Sequence, residues 1–173
     1  MYNMALNEVF MDEMNFWMII GSAHEQSNGD MDQKCELIRT ALSKLPQDDA
    51  RAFSALFRVM MDRAYSWPLW GAAYVINGGC GDDSFSDFRA SLISRGRAAF
   101  ERALADPDSL AAEDFDEDSW FYEGYQYAVT DGVKAAVGTV VNRESPHPDE
   151  PFGQEWEEDK VYELYPQLAE KFA

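Results

Sequence analysis

This sequence predicts an all-α fold: one compact multi-helix domain over residues 1–173, with helix-turn-helix packing around an aromatic- and Met-rich core and an acidic C-terminal third. Three observations lead there. Apolar residues recur at three- and four-residue intervals through most of the chain, the spacing of one helix face. Sustained period-two alternation, the mark of a half-buried strand, is missing, as is any internal repeat of roughly 20–50 residues. The apolar segments are separated by clusters of Gly, Asn, Asp, Ser and Pro, which end one helix and begin the next. At 173 residues and 46% hydrophobic content the chain can bury one good core and is short for two.

The elements follow in order. The stretch DEMNFWMIIGSAHEQ (12–26) reads as a helix that closes at the turn signal SNGD (27–30). Met31, Cys35, Ile38, Leu42 and Leu45 form the next stripe, with Asp30 as its N-cap and Pro46 just past its end. In RAFSALFRVMMDRA (51–64), Phe53, Leu56, Phe57, Met60, Met61 and Ala64 make one continuous apolar face, whose flexible thioethers suit an irregular core. WPLWGAAYVIN (67–77) begins a helix with Pro68 in the first turn. Phe85, Phe88, Leu92 and Ile93 lie on one side of the next helix; Gly96 interrupts it, and RAAFERALA (97–105) continues to DPDSL (106–110).

From Trp120 to about Asn142, the spacing of Tyr122, Tyr125, Val129, Val133, Ala136, Val137, Val140 and Val141 predicts a helix. Gly132 and Gly138 weaken it, and the β-branched run VGTVV is compatible with a strand. Residues 144–153, with three prolines and a glycine, form a loop. EEDKVYELYPQLAEKF (157–172) is a closing helix broken near Pro166.

Charge is distributed unevenly. The net formal charge is −18. Residues 1–105 hold 14 acids against 10 bases, and residues 106–173 hold 18 against 4. Two windows, 106–123 and 144–159, carry 15 acids and no Lys or Arg. They include Glu113, Asp114, Asp116, Glu117, Asp118, Glu157, Glu158 and Asp159, and the loop-containing segment 106–159 is expected to pack on the core or extend from it. Such a surface repels a phosphate backbone, which argues against direct nucleic-acid binding, and it attracts a basic protein. No apolar run approaches the roughly 20 residues of a membrane span. The first residues, MYNMALNEVFMDE, carry acids where a secretion signal carries bases. Cys35 and Cys80 alone make no disulfide framework, so a cytoplasmic protein with reduced thiols is expected.

The segment AYVINGGCGDDSF (73–85) concentrates the candidate chemistry. A phosphate loop would need a cation where Asp82 and Asp83 stand. A calcium loop would need a central Gly and a distal Glu, and Phe85 and Phe88 interrupt the acids instead. A zinc site would need Cys35, Cys80, His24 and His147 to converge without any short paired spacing. No metal or cofactor is therefore expected. Cys80 as a nucleophile would gain from a nearby helix start but lose from Asp82 and Asp83, which raise a thiol pKa.

The structural reading is a helix stop at Asn77, Gly78 and Gly79, followed by a helix start capped by Asp82, Asp83 and Ser84, with Asp87 completing a capping-box-like pattern. Trp67, Trp70 and Tyr74 form either core or a wall beside this turn, and Arg89 is expected to pair with Asp82 or with a ligand anion. Trp67, Trp70, Tyr74, Asn77, Cys80, Asp82, Asp83 and Arg89 are thus the candidate ligand- or partner-binding set.

Four stretches, MDEMNFWMII (11–20), WPLWGAAYVINGGCGDDSFSDFRASLISRGR (67–97), FERALADPDSL (100–110) and GQEWEEDKVYELYPQL (153–168), resemble a bacterial family of unknown function, DUF4240. The central block is the most specific; Pro68 stands where that pattern has an acid, and Gly81 where it has Ser. The resemblance implies a bacterial, single-domain, cytoplasmic protein and carries over no catalytic residue. The chain is accordingly expected to be a non-enzymatic binding or interaction protein, inhibitor- or immunity-like, whose acidic surface engages a basic partner. The alternatives are an enzyme or small-ligand binder built around the NGGCGDD turn, and an acidic mimic of nucleic acid.

Overall fold

The computed structural model describes residues 10–173. Ten helices run through them: α1 (Glu13–Ser27), α2 (Met31–Ser43), α3 (Gln47–Arg63), α4 (Trp67–Asn77), α5 (Asp82–Ser94), α6 (Arg97–Ala105), the one-turn α7 (Glu117–Trp120), α8 (Gly124–Val137), the one-turn α9 (Val161–Leu164) and α10 (Pro166–Phe172). A 3₁₀ segment, Pro107–Ala112, follows α6. No strand is found among the described residues, where Ser66 and Phe152 form only an isolated bridge.

Local chemistry sets most boundaries. Asp12 caps α1 by accepting from Asn15 N at 2.8 Å, and Asn28, at φ 49°, turns the chain out of that helix. Asp30 caps α2 as the sequence predicts, accepting from Gln33 N at 2.7 Å. Pro46 sits at the N-cap position of α3, so the residue that closes α2 also opens the next helix. Ser66 caps α4, with Pro68 in the first turn.

One core follows from the stripes. Phe16 and Ile20 of α1, Ile38 and Leu42 of α2, Phe53 and Met60 of α3, and Phe85 and Phe88 of α5 are all essentially inaccessible to solvent. The Met stripe of α3 is core, as its spacing implied. α8 lies against both α2 and α3. It approaches α2 so closely that a Cβ on Gly132 would stand 2.9 Å from the Arg39 carbonyl oxygen and 2.9 Å from Leu42 Cβ.

The C-terminal segment is strapped onto this core. Asp108 accepts from Leu168 N at 2.9 Å and Gln167 N at 3.2 Å, capping α10. Tyr165 donates to the Pro68 carbonyl at 2.6 Å over Gly71, where a Cβ would clash with the phenol. Trp156 donates to the Trp67 carbonyl at 2.8 Å, and Trp67 N to the Phe152 carbonyl at 2.9 Å.

One expectation is corrected. The helix predicted from Trp120 to Asn142 is broken at both ends: α7 stops at Trp120, and α8 covers only Gly124–Val137. Gly138, at φ 88°, ends α8 in the left-handed conformation, which outweighs the apolar spacing beyond it. The break expected near Pro166 is present: α9 ends at Leu164, Tyr165 intervenes, and Pro166 opens α10.

Lys34 is a charged residue buried in the core. It is 1% exposed, its Nζ reaches only Ser94 Oγ at 3.2 Å, and burial, reinforced by Arg95, pulls its pKa from 10.5 down to about 8. Ser94 Oγ already donates to the Ser91 carbonyl at 2.6 Å, so removing the ammonium orphans nothing. Lys34→Met is therefore expected to stabilise the protein by up to about 3 kcal/mol at neutral pH in chemical denaturation. Below about pH 8 the lysine is charged in both states and its burial penalty is complete. Between about 8 and 10.5 the unfolded chain holds the extra proton, so wild-type stability rises relative to the variant, and the gap closes across that window. A gap independent of pH contradicts this account.

Candidate functional site

The turn between α4 and α5 is built as a helix stop and a helix start. Gly78 and Gly79 have φ of 64° and 129°, and Asn77 Nδ2 donates to the Gly79 carbonyl at 2.9 Å. The expected caps are not used. Gly81 holds the N-cap position of α5, in extended conformation and without a side-chain oxygen, so Asp82 and Asp83 fall inside the first turn. There they favour the positive helix end. Asp87 faces α8 instead of closing a capping box, and accepts from Gln126 Nε2 at 3.3 Å.

The aromatic wall is filled by the chain itself. Trp67 stacks on Trp70 with ring centres 5.4 Å apart, and Trp70 on Phe85 at 4.8 Å. Trp156 packs edge-on against Trp67 and lies 5.1 Å from Tyr74, whose hydroxyl donates to Glu158. Trp70 Nε1 donates to the Cys80 carbonyl at 2.8 Å. Burial, helped by Asp82 and Asp87, pushes the Cys80 thiol up to about 12, which removes the thiolate a nucleophile needs.

The predicted pairing of Arg89 with Asp82 does not form. Arg89 turns inward from α5, donates to the Met61 carbonyl at 2.9 Å, and lies 4.8 Å from the Tyr65 ring centre and 4.9 Å from that of Phe85. Asn77, Asp83 and Arg89 line three different cavities, and none of these is lined by Trp67, Trp70, Tyr74, Cys80 or Asp82. The predicted set is thus split rather than gathered into one pocket.

The structure gathers two other constellations. The first is a cleft of about 230 Å³ between α3, α5, α8 and the segment after α8, lined by Arg58, Arg89 and Arg143 over Phe57, Met61 and Val133. Asp62 is its only carboxylate, and it pairs with Arg143. Burial, together with Arg143, lowers the Arg58 pKa.

The second is an acidic surface of two adjoining hollows that share Glu123. One, of about 590 Å³, is lined by Asp30, Asp32, Asp116, Asp118 and Glu123; the other, of about 490 Å³, by Asp83, Asp87 and Glu123. No Lys or Arg lines either. Burial, then Glu123 and Asp83, push the Asp87 carboxyl above its ordinary value. Ser86 and Gln126 line both the arginine cleft and the second hollow, and Gln126 Nε2 donates to Ser86 Oγ at 3.1 Å.

Glu113, Asp114, Glu157, Glu158 and Asp159 lie apart from these hollows. Glu113 pairs with Arg102, Asp114 offers its carbonyl to Trp120 Nε1, Glu157 pairs with Lys160, Glu158 accepts from Tyr74, and Asp159 is exposed. Glu117 opens α7. The sequence reading missed Arg58 and Arg143. The signal for Arg143 was its isolation, since no other Lys or Arg lies between Lys134 and Lys160.

Among the described residues, no group of three or more His, Cys, Asp or Glu is arranged to hold a metal, and no helix is long and apolar enough to cross a membrane. Among the described residues, fold and surface thus define a compact all-helical protein with an arginine-lined cleft and an acidic surface. The family model described as "Protein of unknown function (DUF4240)" matches residues 11–134, well over half the chain, and the chain belongs to that family. No curated protein and no solved structure matches it. Arg58, Arg89 and all seven groove carboxylates lie within the matched span; Arg143 lies beyond it.

Two outcomes are expected for the turn. Alkylation of Cys80 by iodoacetamide at pH 8 should run at least about a hundredfold slower in the native than in the denatured protein, and equal rates would contradict the buried thiol. At Gly81, φ is −80° and an added Cβ meets nothing within 4 Å. Gly81→Ser should therefore supply the missing cap oxygen and raise stability by about 0.5–1 kcal/mol in denaturant titration.

Proposed function

We propose that this protein is a non-enzymatic interaction protein, of the inhibitor or immunity kind, that acts in the bacterial cytoplasm and seats a basic segment of a partner protein in its acidic hollows. One observation carries the reading: seven carboxylates line two adjoining hollows that share Glu123, and no cation lines either. Like charges gathered in a concave, low-dielectric wall sum to a strong local potential, which raises the encounter rate and affinity for lysine- or arginine-bearing segments. Burial raises the Asp87 carboxyl most, and Glu123 and Asp83 add to the shift, the part in which that potential acts on one group. The free thiols Cys35 and Cys80 fit a reducing compartment.

Several of these carboxylates also serve the fold. Asp30 and Asp116 cap helices, and Asp32 accepts from Tyr122. Such internal use fits a shaped groove better than the regular exposed ladder of a nucleic-acid mimic.

The test is capture from native bacterial lysate at low and at moderate salt. It compares wild type with the triple variant Asp116→Asn, Asp118→Asn, Glu123→Gln, in which the side-chain amide at position 116 keeps an oxygen for the cap. Basic proteins should be enriched by wild type and released as salt rises. Three surface pairs at roughly 0.5 kcal/mol each predict about tenfold weaker capture by the variant. Capture that is indifferent to salt or to these substitutions would sink the proposal.

A further inference from the structure

The arginine cleft holds a cation whose countercharge the fold does not supply. Arg89 is 5% exposed, yet no carboxylate of the described residues lies within ion-pair distance of it. Its Nε and Nη1 go to the Phe85 and Met61 carbonyls, at 3.4 and 2.9 Å, and its Nη2 has no partner among the described residues. A buried guanidinium without an anion is unfavourable, and an anion brought into the cleft relieves it. Arg58 and Arg143 reach the same cleft from α3 and from the segment after α8. Arg58 spends Nη2 on the Val141 carbonyl, while Arg143 spends Nε and Nη2 on Ser145, Pro146 and Asp62. Each keeps Nη1 without a partner among the described residues.

The second demand has the opposite sense. Asp62 gives Oδ2 to Arg143, and its Oδ1 is buried with no hydrogen-bond partner. A buried, unpaired carboxylate oxygen calls for a donor. The occupant must therefore present several anionic oxygens to guanidiniums arriving from three elements and, from the same small group, one O–H to Asp62.

We propose that this cleft binds a protonated phosphate group, held by Arg58, Arg89 and Arg143 and read through its own proton by Asp62. Tetrahedral oxygens suit guanidiniums converging from three directions, whereas a planar carboxylate is satisfied by one bidentate arginine. Inorganic phosphate retains a proton at neutral pH, a monoester retains one only in the fraction still singly ionised (second pKa about 6), and sulfate retains none. Asp62 thus acts as a filter: it accepts from the phosphate O–H and repels a fully deprotonated oxyanion. About 230 Å³ accommodates inorganic phosphate or the phosphate end of a small monoester. This site is independent of the acidic hollows and of any partner they take.

The test is isothermal titration of the full-length protein at pH 7 and fixed ionic strength with inorganic phosphate, glycerol phosphate, sulfate and malonate. Phosphate or glycerol phosphate should bind at least about tenfold more tightly than sulfate or malonate. The stronger of the two phosphates identifies whether the free ion or a monoester is the source. Arg143→Gln should weaken phosphate about tenfold or more. Asp62→Asn, which places an amide donor beside the ligand, should erase the preference for phosphate over sulfate. That change of selectivity is not produced by loss of fold, and circular dichroism confirms that each variant is folded. No heat with either phosphate, equal binding of phosphate and sulfate by wild type, a preference for malonate, or unchanged selectivity in Asp62→Asn would each overturn the proposal.

Discussion

The close approach of α8 to α2 at Gly132 is the constraint on which the remaining surface depends. No side chain fits between Gly132 and the Arg39 carbonyl, so α8 sinks onto α2 and meets α3 along another side. Tyr125, Val129 and Val133 are buried as a result. Glu123, just ahead of the first turn, borders both acidic hollows; Gln126 and Thr130, further on, line the arginine cleft. A larger residue at 132 would lift the helix and open both concavities at once, because the same helix borders each.

What separates the two concavities is a neutral pair. Ser86 of α5 and Gln126 of α8 are hydrogen-bonded to each other and line the arginine cleft and the second acidic hollow alike. Gln126 also donates to Asp87, which holds that carboxylate on the acidic side. A charged residue at either position would join the two fields or cancel one of them. The amide and the hydroxyl keep Arg89 without a carboxylate partner while carboxylates crowd the neighbouring hollow.

The fold was largely legible because burial is periodic: the stripes of α1 to α6 and the cap at Asp30 follow from spacing and side-chain chemistry alone. The errors have local causes. Apolar spacing continues past Gly138, and only the backbone conformation of that glycine shows that α8 has ended. Gly81 has no side chain to signal a cap, so the nearby aspartates drew an assignment that belongs one residue earlier. The acidic windows were visible, but the hollows recruit Asp30, Asp32, Asp83 and Asp87 from outside them. The arginine cleft was not legible, because Arg58, Arg89 and Arg143 belong to three separate elements and only tertiary packing brings them together.

A net charge of −18 and a site for an anion are compatible because they act over different distances. Exposed carboxylates are screened over about 8 Å at physiological salt, whereas guanidiniums touching an oxyanion in a narrow cleft are not. For a polyanion, the segments flanking a bound phosphate would have to cross the acidic exterior, which opposes its binding. A single small phosphate fits inside the cleft and leaves that exterior free. The acidic surface therefore does not oppose the arginine cleft; it restricts the cleft to anions small enough to sit inside it.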